Sequence, residues 1–298
     1  MLDRTIVRFL PAVPRQVVRR IADLYIAGEE LDDALETVRR LNAAGRSATV
    51  DVLGEEVGKP YEAGEILAAY ERVLDAIAQN SLDSNVSIKP TAFGLNLGYK
   101  LCRRNVERLV RVAAERGNFV RIDMEDATTT DDTLRLYREL REDGLDNVGV
   151  VLQARLRRTL DDIAALADLR PNVRLCKGIY VERWAIAHTN FDEIRESFVR
   201  CLEALCEAAS FVGIATHDEF LVSEGRRIAQ ERYEFQMLLG VRESLGDELV
   251  RAGERLRIYV PFGHQWYEYS LRRLQENPRI AGYVAADTVG RLLGRNGR

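Results

Sequence analysis

The stretch "NVGVVLQARLRRTLDDIAALADLRPNVRLCKGIY", residues 147–180, decides the fold. It opens and closes on short β-rich runs, NVGVVLQA and NVRLCKGIY. Between them LDDIAALADLR carries apolar residues three and four apart, the period of a helix with one buried face. A strand, a helix and a second strand in this order make a unit whose two strands run parallel. The same alternation extends in both directions. Upstream lie SATVDVLG (47–54), NVSIKPT (85–91) and NFVRIDMED (118–126). Downstream lie SFVGIATHD (210–218), YEFQMLLG (233–240) and LRIYVPFG (256–263). Amphipathic segments such as EILAAYERVLDAIAQN, NVERLVRVAAERG and TLRLYRELREDG separate them. Eight strands in alternation with helices predict an α/β fold, a distorted (βα)8 barrel. An open doubly wound sheet is the alternative, but no G-x-G-x-x-G follows any strand. GEEVGKP also fails as a phosphate loop, because its spacing is one residue short and Pro60 stands where Ser or Thr is needed.

Residues 1–45 read as an N-terminal helical extension, with two amphipathic patterns ending at Gly28 and Gly45, and residues 46–298 as the barrel. A net charge of −4 gives no basic footprint for nucleic acid. No apolar run reaches the 18 residues that a membrane span needs, and the N-terminus shows no signal peptide. The four cysteines have no metal-ligand spacing, and Cys201 and Cys206 read as packing residues of a helix. This fits a reducing compartment, and the expected location is cytoplasmic. Only three histidines are present, too few for a zinc site of the usual kind, and no metal is expected.

The chemistry of a barrel gathers at the C-terminal ends of its strands. Read in order, those ends carry Glu55, Lys89, Asp123 with Glu125 and Asp126, Gln153 with Arg155, Lys177, Thr216 with His217 and Asp218, Gln236, and Tyr259. The chain has 39 arginines and four lysines, so two lysines among these positions are conspicuous. Alternation puts Ser87 with Lys89 on one strand face and Arg121 with Asp123 on another. If those faces point inward the charges must pair, and Lys89 with Asp123 is the natural pair. Arg174 and Lys177 fall on opposite faces, so both reach one site only if their strand ends near Cys176. After the last strand, YSLRRLQEN places Tyr269, Arg272, Arg273 and Glu276 at helical spacings of three and four. A surface ion pair of Arg272 with Glu276, worth about 0.5 kcal/mol, would account for part of this pattern. Two guanidiniums and the Lys89 ammonium could also clamp a carboxylate or a phosphate. A Schiff-base lyase using Lys89 or Lys177, and a silent amino-acid-binding barrel, are the competing readings.

In their order, SIKPT, RIDMED, VVLQA, VRLCKGIY, ATHD, YEFQMLLG, RIYVPFG and YSLRRLQEN resemble the proline dehydrogenase family, over residues 45–290. The resemblance implies a distorted (βα)8 barrel with non-covalently bound FAD. It further implies oxidation of L-proline to Δ1-pyrroline-5-carboxylate and transfer of the electrons to a membrane quinone. By this resemblance Lys89, Arg272 and Arg273 match the clamp on the proline carboxylate, and Asp123 the acid paired with the lysine. Tyr259 and Tyr269 match residues packed on the proline ring, and Leu175, Ile179 and Leu238 complete the apolar wall. The family usually has Ala where Ile179 stands, which implies a tighter wall. Gln153, Arg174, Lys177, Gly178, Tyr180, Thr216, His217 and Glu276 match cofactor contacts, with Arg174 near the reacting nitrogen. Glu55 matches a gate that pairs with Arg272 on closure, although Glu56 stands beside it. The resemblance leaves open a peripheral contact with the inner face of the plasma membrane. It also implies a downstream pyrroline-5-carboxylate dehydrogenase on a separate chain.

Overall fold

The structure is a computed structural model that describes residues 18–19, 22–54, 57–267 and 269–270. Eight helices and eight strands alternate along these residues. They are α1 (Leu31–Ala43), β1 (Ser47–Val52), α2 (Pro60–Gln79), β2 (Ser84–Ile88), α3 (Tyr99–Glu115), β3 (Val120–Ile122), α4 (Thr130–Glu142) and β4 (Val148–Gln153). There follow α5 (Thr159–Leu166), β5 (Asn172–Cys176), α6 (Phe191–Ala208), β6 (Phe211–Ala215), α7 (Glu219–Ile228), β7 (Tyr233–Leu238), α8 (Glu243–Arg251) and β8 (Leu256–Phe262). The strands form a closed parallel barrel in chain order, as the eightfold alternation predicts. No helix among the described residues is long and apolar enough to cross a membrane.

Local chemistry sets the helix ends. Pro60 opens α2, where a missing N–H costs nothing. The Glu62 carboxylate accepts from the backbone N–H groups of Gly58 and Lys59 at 2.7 and 3.0 Å. At α6 the Asn190 side chain accepts from the N–H of Asp192 at 2.8 Å, closing an end that would otherwise leave donors unmet. Of the helix expected over residues 14–28, the described residues Val18, Arg19 and Ala22 are helical, and a turn follows at 23–25.

Packing divides the chain into two compact units. One takes the residues up to Leu53 together with those from Met237 onward; the other runs from Gly54 to Gln236. The described residues before β1 thus group with β1 and β8. In the first unit β1 pairs with β8 from Ser47 opposite Arg257 to Val52 opposite Phe262. A cluster of Val18, Ala22, Tyr25, Ile26, Leu53, Val241, Trp266 and Tyr269 forms its local core, with Leu24, Leu238 and Tyr267 packed against it.

In the second unit β2 to β7 pair successively in parallel. Their helix-facing positions are apolar: Val86 and Ile88, Val120 and Ile122, Val148 and Val150, Val173 and Leu175, Ile214, and Phe235 are each fully buried. Burying such a side chain contributes roughly 1.5–3 kcal/mol, so this layer drives the folding of the unit. The alternate, inward positions are different in kind. Ser87 stands opposite Arg121, Arg121 opposite Gly149, Val151 opposite Arg174, Arg174 opposite Gly213, and Gly213 opposite Glu234. A barrel of this class usually fills its interior with branched apolar side chains. Here Ser87, Arg121, Arg174, Glu234 and Gln236 are all buried. Buried charges must find partners, and the pairing of these groups defines the site.

Candidate active site

Arg174 is the hub. It projects from β5, and its side chain is 9% exposed. Its Nε donates to Gln236 Oε1 on β7 at 2.6 Å. Its Nη1 donates to Asp123 Oδ1, just past β3, at 2.8 Å, and to Ser87 Oγ on β2 at 3.1 Å. The Ser87 hydroxyl donates in turn to Asp123 Oδ1 at 2.7 Å, so it accepts from the guanidinium and donates to the carboxylate. Gln236 Nε2 donates to Glu234 Oε1 at 2.8 Å. One guanidinium thus joins four strands through directional bonds, which a flexible ammonium could not do from one point.

Beside it, Arg121 is buried without a carboxylate partner. Its Nη1 donates to the carbonyls of Asn172 and Val150 at 2.7 and 3.2 Å, its Nη2 donates to Asn172 Oδ1, and its Nε has no partner. Burial, and then the like charge of Arg174, pull its pKa down to about 9, so it stays charged at neutral pH.

Lys89 follows β2 and is 8% exposed. The Asp123 N–H donates to the Ile88 carbonyl at 2.8 Å, which carries the β2–β3 register on to Lys89 and Asp123. The expected pairing of these two gains this backbone proximity. The partners described for the Asp123 carboxylate are Ser87 and Arg174.

Strand β5 ends at Cys176, the condition for Arg174 and Lys177 to serve one end of the barrel. Lys177 stands above the strand end and pairs with Asp218, with its ammonium 4.5 Å from the centre of the Phe191 ring. Asp218 also takes both ends of the Arg195 guanidinium, at 2.8 and 2.7 Å, and that guanidinium lies against the rings of Phe191 and Phe220. The Thr216 hydroxyl accepts from the Asp218 N–H at 3.1 Å, and His217 is half-buried between them in the chain. Burial would raise the Asp218 carboxyl, but hydrogen bonds from Arg195 and Lys177, with their charges, outweigh it and hold it at about 2.

A carboxylate so depressed stabilises the fold fully above its unfolded value near 3.8, and that contribution disappears as pH falls towards 2. Asp218→Asn is expected to lose roughly 2 kcal/mol of unfolding free energy at pH 6. Urea unfolding of both proteins from pH 6 downward should show the gap closing below about pH 4. A gap independent of pH would refute the pairing.

Gln153 is 3% exposed, and its amide N–H groups donate to the carbonyls of Met124 and Glu125, both at 3.0 Å. Its Oε1 faces Gly178, which has a φ of +93°, and a Cβ there would come within 3.2 Å of the amide. Ile179 and Tyr180 follow, half-buried, with their carbonyls accepting from Arg155 Nη1. Leu175 is fully buried, in register with Leu152 and Ile214 on the neighbouring strands.

In the other unit, Tyr259 and Leu238 are half-buried, with the Tyr259 carbonyl accepting from the Leu239 N–H at 3.1 Å. Tyr269 is buried, its ring centre 6.5 Å from that of Tyr25. Glu55, Arg272, Arg273 and Glu276 lie outside the described residues.

Glu234 and Arg195 were not among the expected site residues. Glu234 shares the inward face with Gln236 two residues on, a signal that alternation carries. Arg195 sits on α6, where nothing in its spacing distinguishes it from a solvated arginine.

Comparison with known proteins adds to this geometry. A family model described as "Proline dehydrogenase" matches residues 34–286. "Proline dehydrogenase" of Deinococcus radiodurans is 35% identical over 280 residues, which cover 91% of this chain and 90% of that protein. "Proline dehydrogenase 1" of Bacillus subtilis (strain 168) is 33% identical over 288 residues, covering 95% of this chain and 94% of that protein. Among solved structures, proline utilization A from Bdellovibrio bacteriovorus, inactivated by N-propargylglycine, superposes with a TM-score of 0.78 at 26% identity. The match covers 90% of this chain and 34% of that one, so this chain spans about a third of that longer protein.

Proposed function

The chain belongs to the proline dehydrogenase family, and on that premise we propose that it oxidises L-proline to Δ1-pyrroline-5-carboxylate, with FAD as hydride acceptor and a membrane quinone as final acceptor. The reaction is the first step of proline catabolism. The observation that carries the reading is the buried Asp123–Ser87–Arg174–Gln236 network. It places a rigidly held cation inside the barrel, next in the chain to residues that end at its C-terminal rim.

The residues present fit a polyanionic dinucleotide. Arg155 Nε is a buried donor without a partner at the end of β4, beside the Gly178 turn. Lys177 and Arg195 converge on the Asp218 carboxylate, beside Thr216 and His217 at the end of β6, and Arg195 also reaches Asp192. Gln153, Arg174, Lys177, Gly178, Tyr180, Thr216 and His217 are the described residues that would hold the group, and Glu276, outside the described residues, is a further candidate. Bound FAD supplies the two-electron acceptor that the side chains of the protein lack.

The chain's own residues do the rest. Lys89, with Arg272 and Arg273, grips the carboxylate of proline, the one strong handle on a small saturated ring. Tyr259, Tyr269, Leu238 and Ile179 pack on that ring and fix its tilt, which converts binding into orientation. The cations gripping the carboxylate also disfavour a second positive charge, so the proline nitrogen loses its proton more readily and can donate electrons as the hydride leaves. Arg174 would stabilise negative charge on a bound acceptor. Glu55, on closure, pairs with Arg272 and keeps water out. The electrons pass on to the quinone, and a separate pyrroline-5-carboxylate dehydrogenase takes the product onward.

The expected result for the purified protein is a visible absorption band near 450 nm, a wavelength typical of bound flavin as a class. Anaerobic L-proline should bleach it, and an equal concentration of prolinamide, which lacks the carboxylate, should not. A colourless protein, or a band that proline leaves unchanged, would overturn the proposal.

A further inference from the structure

Two residues of β7 form a chain of hydrogen bonds that ends on Arg174. Gln236 Oε1 accepts from Arg174 Nε at 2.6 Å, while Gln236 Nε2 donates to Glu234 Oε1 at 2.8 Å. A glutamine amide fills the same space either way round, but one end accepts and the other donates. Only one orientation serves a guanidinium, because the reverse would set two donors against each other. An ionised carboxylate only accepts, so Glu234 selects the orientation that turns the Gln236 oxygen towards Arg174. Both residues are 6% exposed, so water does not compete for these bonds. The neighbouring strand leaves room for the amide: a Cβ at Gly213 would collide with Gln236 Nε2 and come within 2.8 Å of its Cδ.

We infer that Glu234 and Gln236 are positioning residues for flavin reduction, Glu234 locking the amide of Gln236 and the amide fixing the Nε edge of Arg174. The inference rests on the reading of the chain as an FAD-dependent proline dehydrogenase. Asp123 and Ser87 hold Nη1 of the same guanidinium, so the β7 pair supplies the second anchor point. A planar group held along one edge at two points cannot swing. Its charge is in place before the reaction, and no reorganisation is needed when negative charge develops. Neither β7 residue is placed in contact with proline or FAD; each acts through Arg174.

Exchange of the two side chains tests this. In Glu234→Gln the amide of Gln236 loses its lock, and in Gln236→Glu two carboxylates face each other. The double variant Glu234→Gln/Gln236→Glu restores an acceptor facing Arg174, held by a donor at 234, with the native net charge. In the full-length FAD-loaded protein, each single change is expected to slow anaerobic bleaching by saturating proline by about 10- to 100-fold, the range for a lost or misplaced bond within a charged network. Each should also displace the flavin midpoint potential. The double variant should bleach faster than either single variant, and its potential should return to the native value, a non-additivity that marks direct coupling. A role confined to stability would move the melting temperature and leave the bleaching rate per bound flavin and the potential unchanged.

Singles that bleach at the native rate, or a double no faster than the slower single, would overturn the inference. If Gln236→Glu does not fold, Gln236→Met removes the acceptor without changing the net charge and is expected to slow bleaching likewise; a native rate there would also overturn it. A native protein that holds FAD and is bleached by proline while all variants match it loses this inference alone. A native protein without flavin removes the inference together with the reading beneath it.

Discussion

Arg174→Met is expected to slow reduction of the protein-bound flavin by proline about 100- to 1,000-fold, the scale set by removal of a preorganised electrostatic group. The same change should lower the unfolding free energy by about 3–5 kcal/mol, because it breaks the buried ion pair with Asp123 and removes the donor to the Gln236 oxygen. The two effects separate by comparison with Arg174→Lys. Lysine restores a positive charge and so recovers part of the stability. It cannot donate at once to Gln236 on β7, Ser87 on β2 and Asp123 just past β3, so the rate should stay low. Stopped-flow reduction under anaerobic conditions and thermal melting of the three proteins make the test. An Arg174→Met protein reduced within about threefold of the native rate would show that the hub serves stability alone.

Lys89→Met is expected to act on binding. The ammonium is buried at the end of β2, and methionine keeps most of the side-chain volume while removing the charge. A charge-assisted bond to a carboxylate is worth about 1.5–3 kcal/mol, so KM for proline should rise roughly 10- to 100-fold. If Lys89 grips proline equally before and during hydride loss, kcat changes far less than KM. Steady-state kinetics with a dye acceptor measure both constants. An unchanged KM would remove Lys89 from the clamp.

The eight strands were legible because the helix-facing positions are almost uniformly Val, Ile, Leu and Phe, and turn residues bound each run. Alternation also sorted Ser87 and Arg121 to the inward face. What it gives is a face; it does not give reach. Arg174 spans from β5 to Ser87 on β2 and Asp123 beyond β3, because a guanidinium on a long stem crosses the interior of a narrow barrel. Sequence neighbours pointed to Lys89 as the partner of Asp123, and the structure adds a more distant one in Arg174. Glu234 lies inside YEFQMLLG and not at the strand end, and its parity with Gln236 is the one signal the sequence carries for it. The Asp218–Arg195 pair joins the end of β6 to α6, a contact made by helix packing that no spacing within either segment encodes.

The account depends on a buried cationic grip on the carboxylate of a small ring. Its most direct test is a crystal structure of the FAD-loaded protein with cyclopentanecarboxylate, which has the ring and the carboxylate but no amine to oxidise. The expected complex has a carboxylate oxygen about 3 Å from Lys89 Nζ, with the guanidiniums of Arg272 and Arg273 on the same carboxylate. A ligand whose carboxylate lies beyond hydrogen-bond reach of all three cations would contradict it.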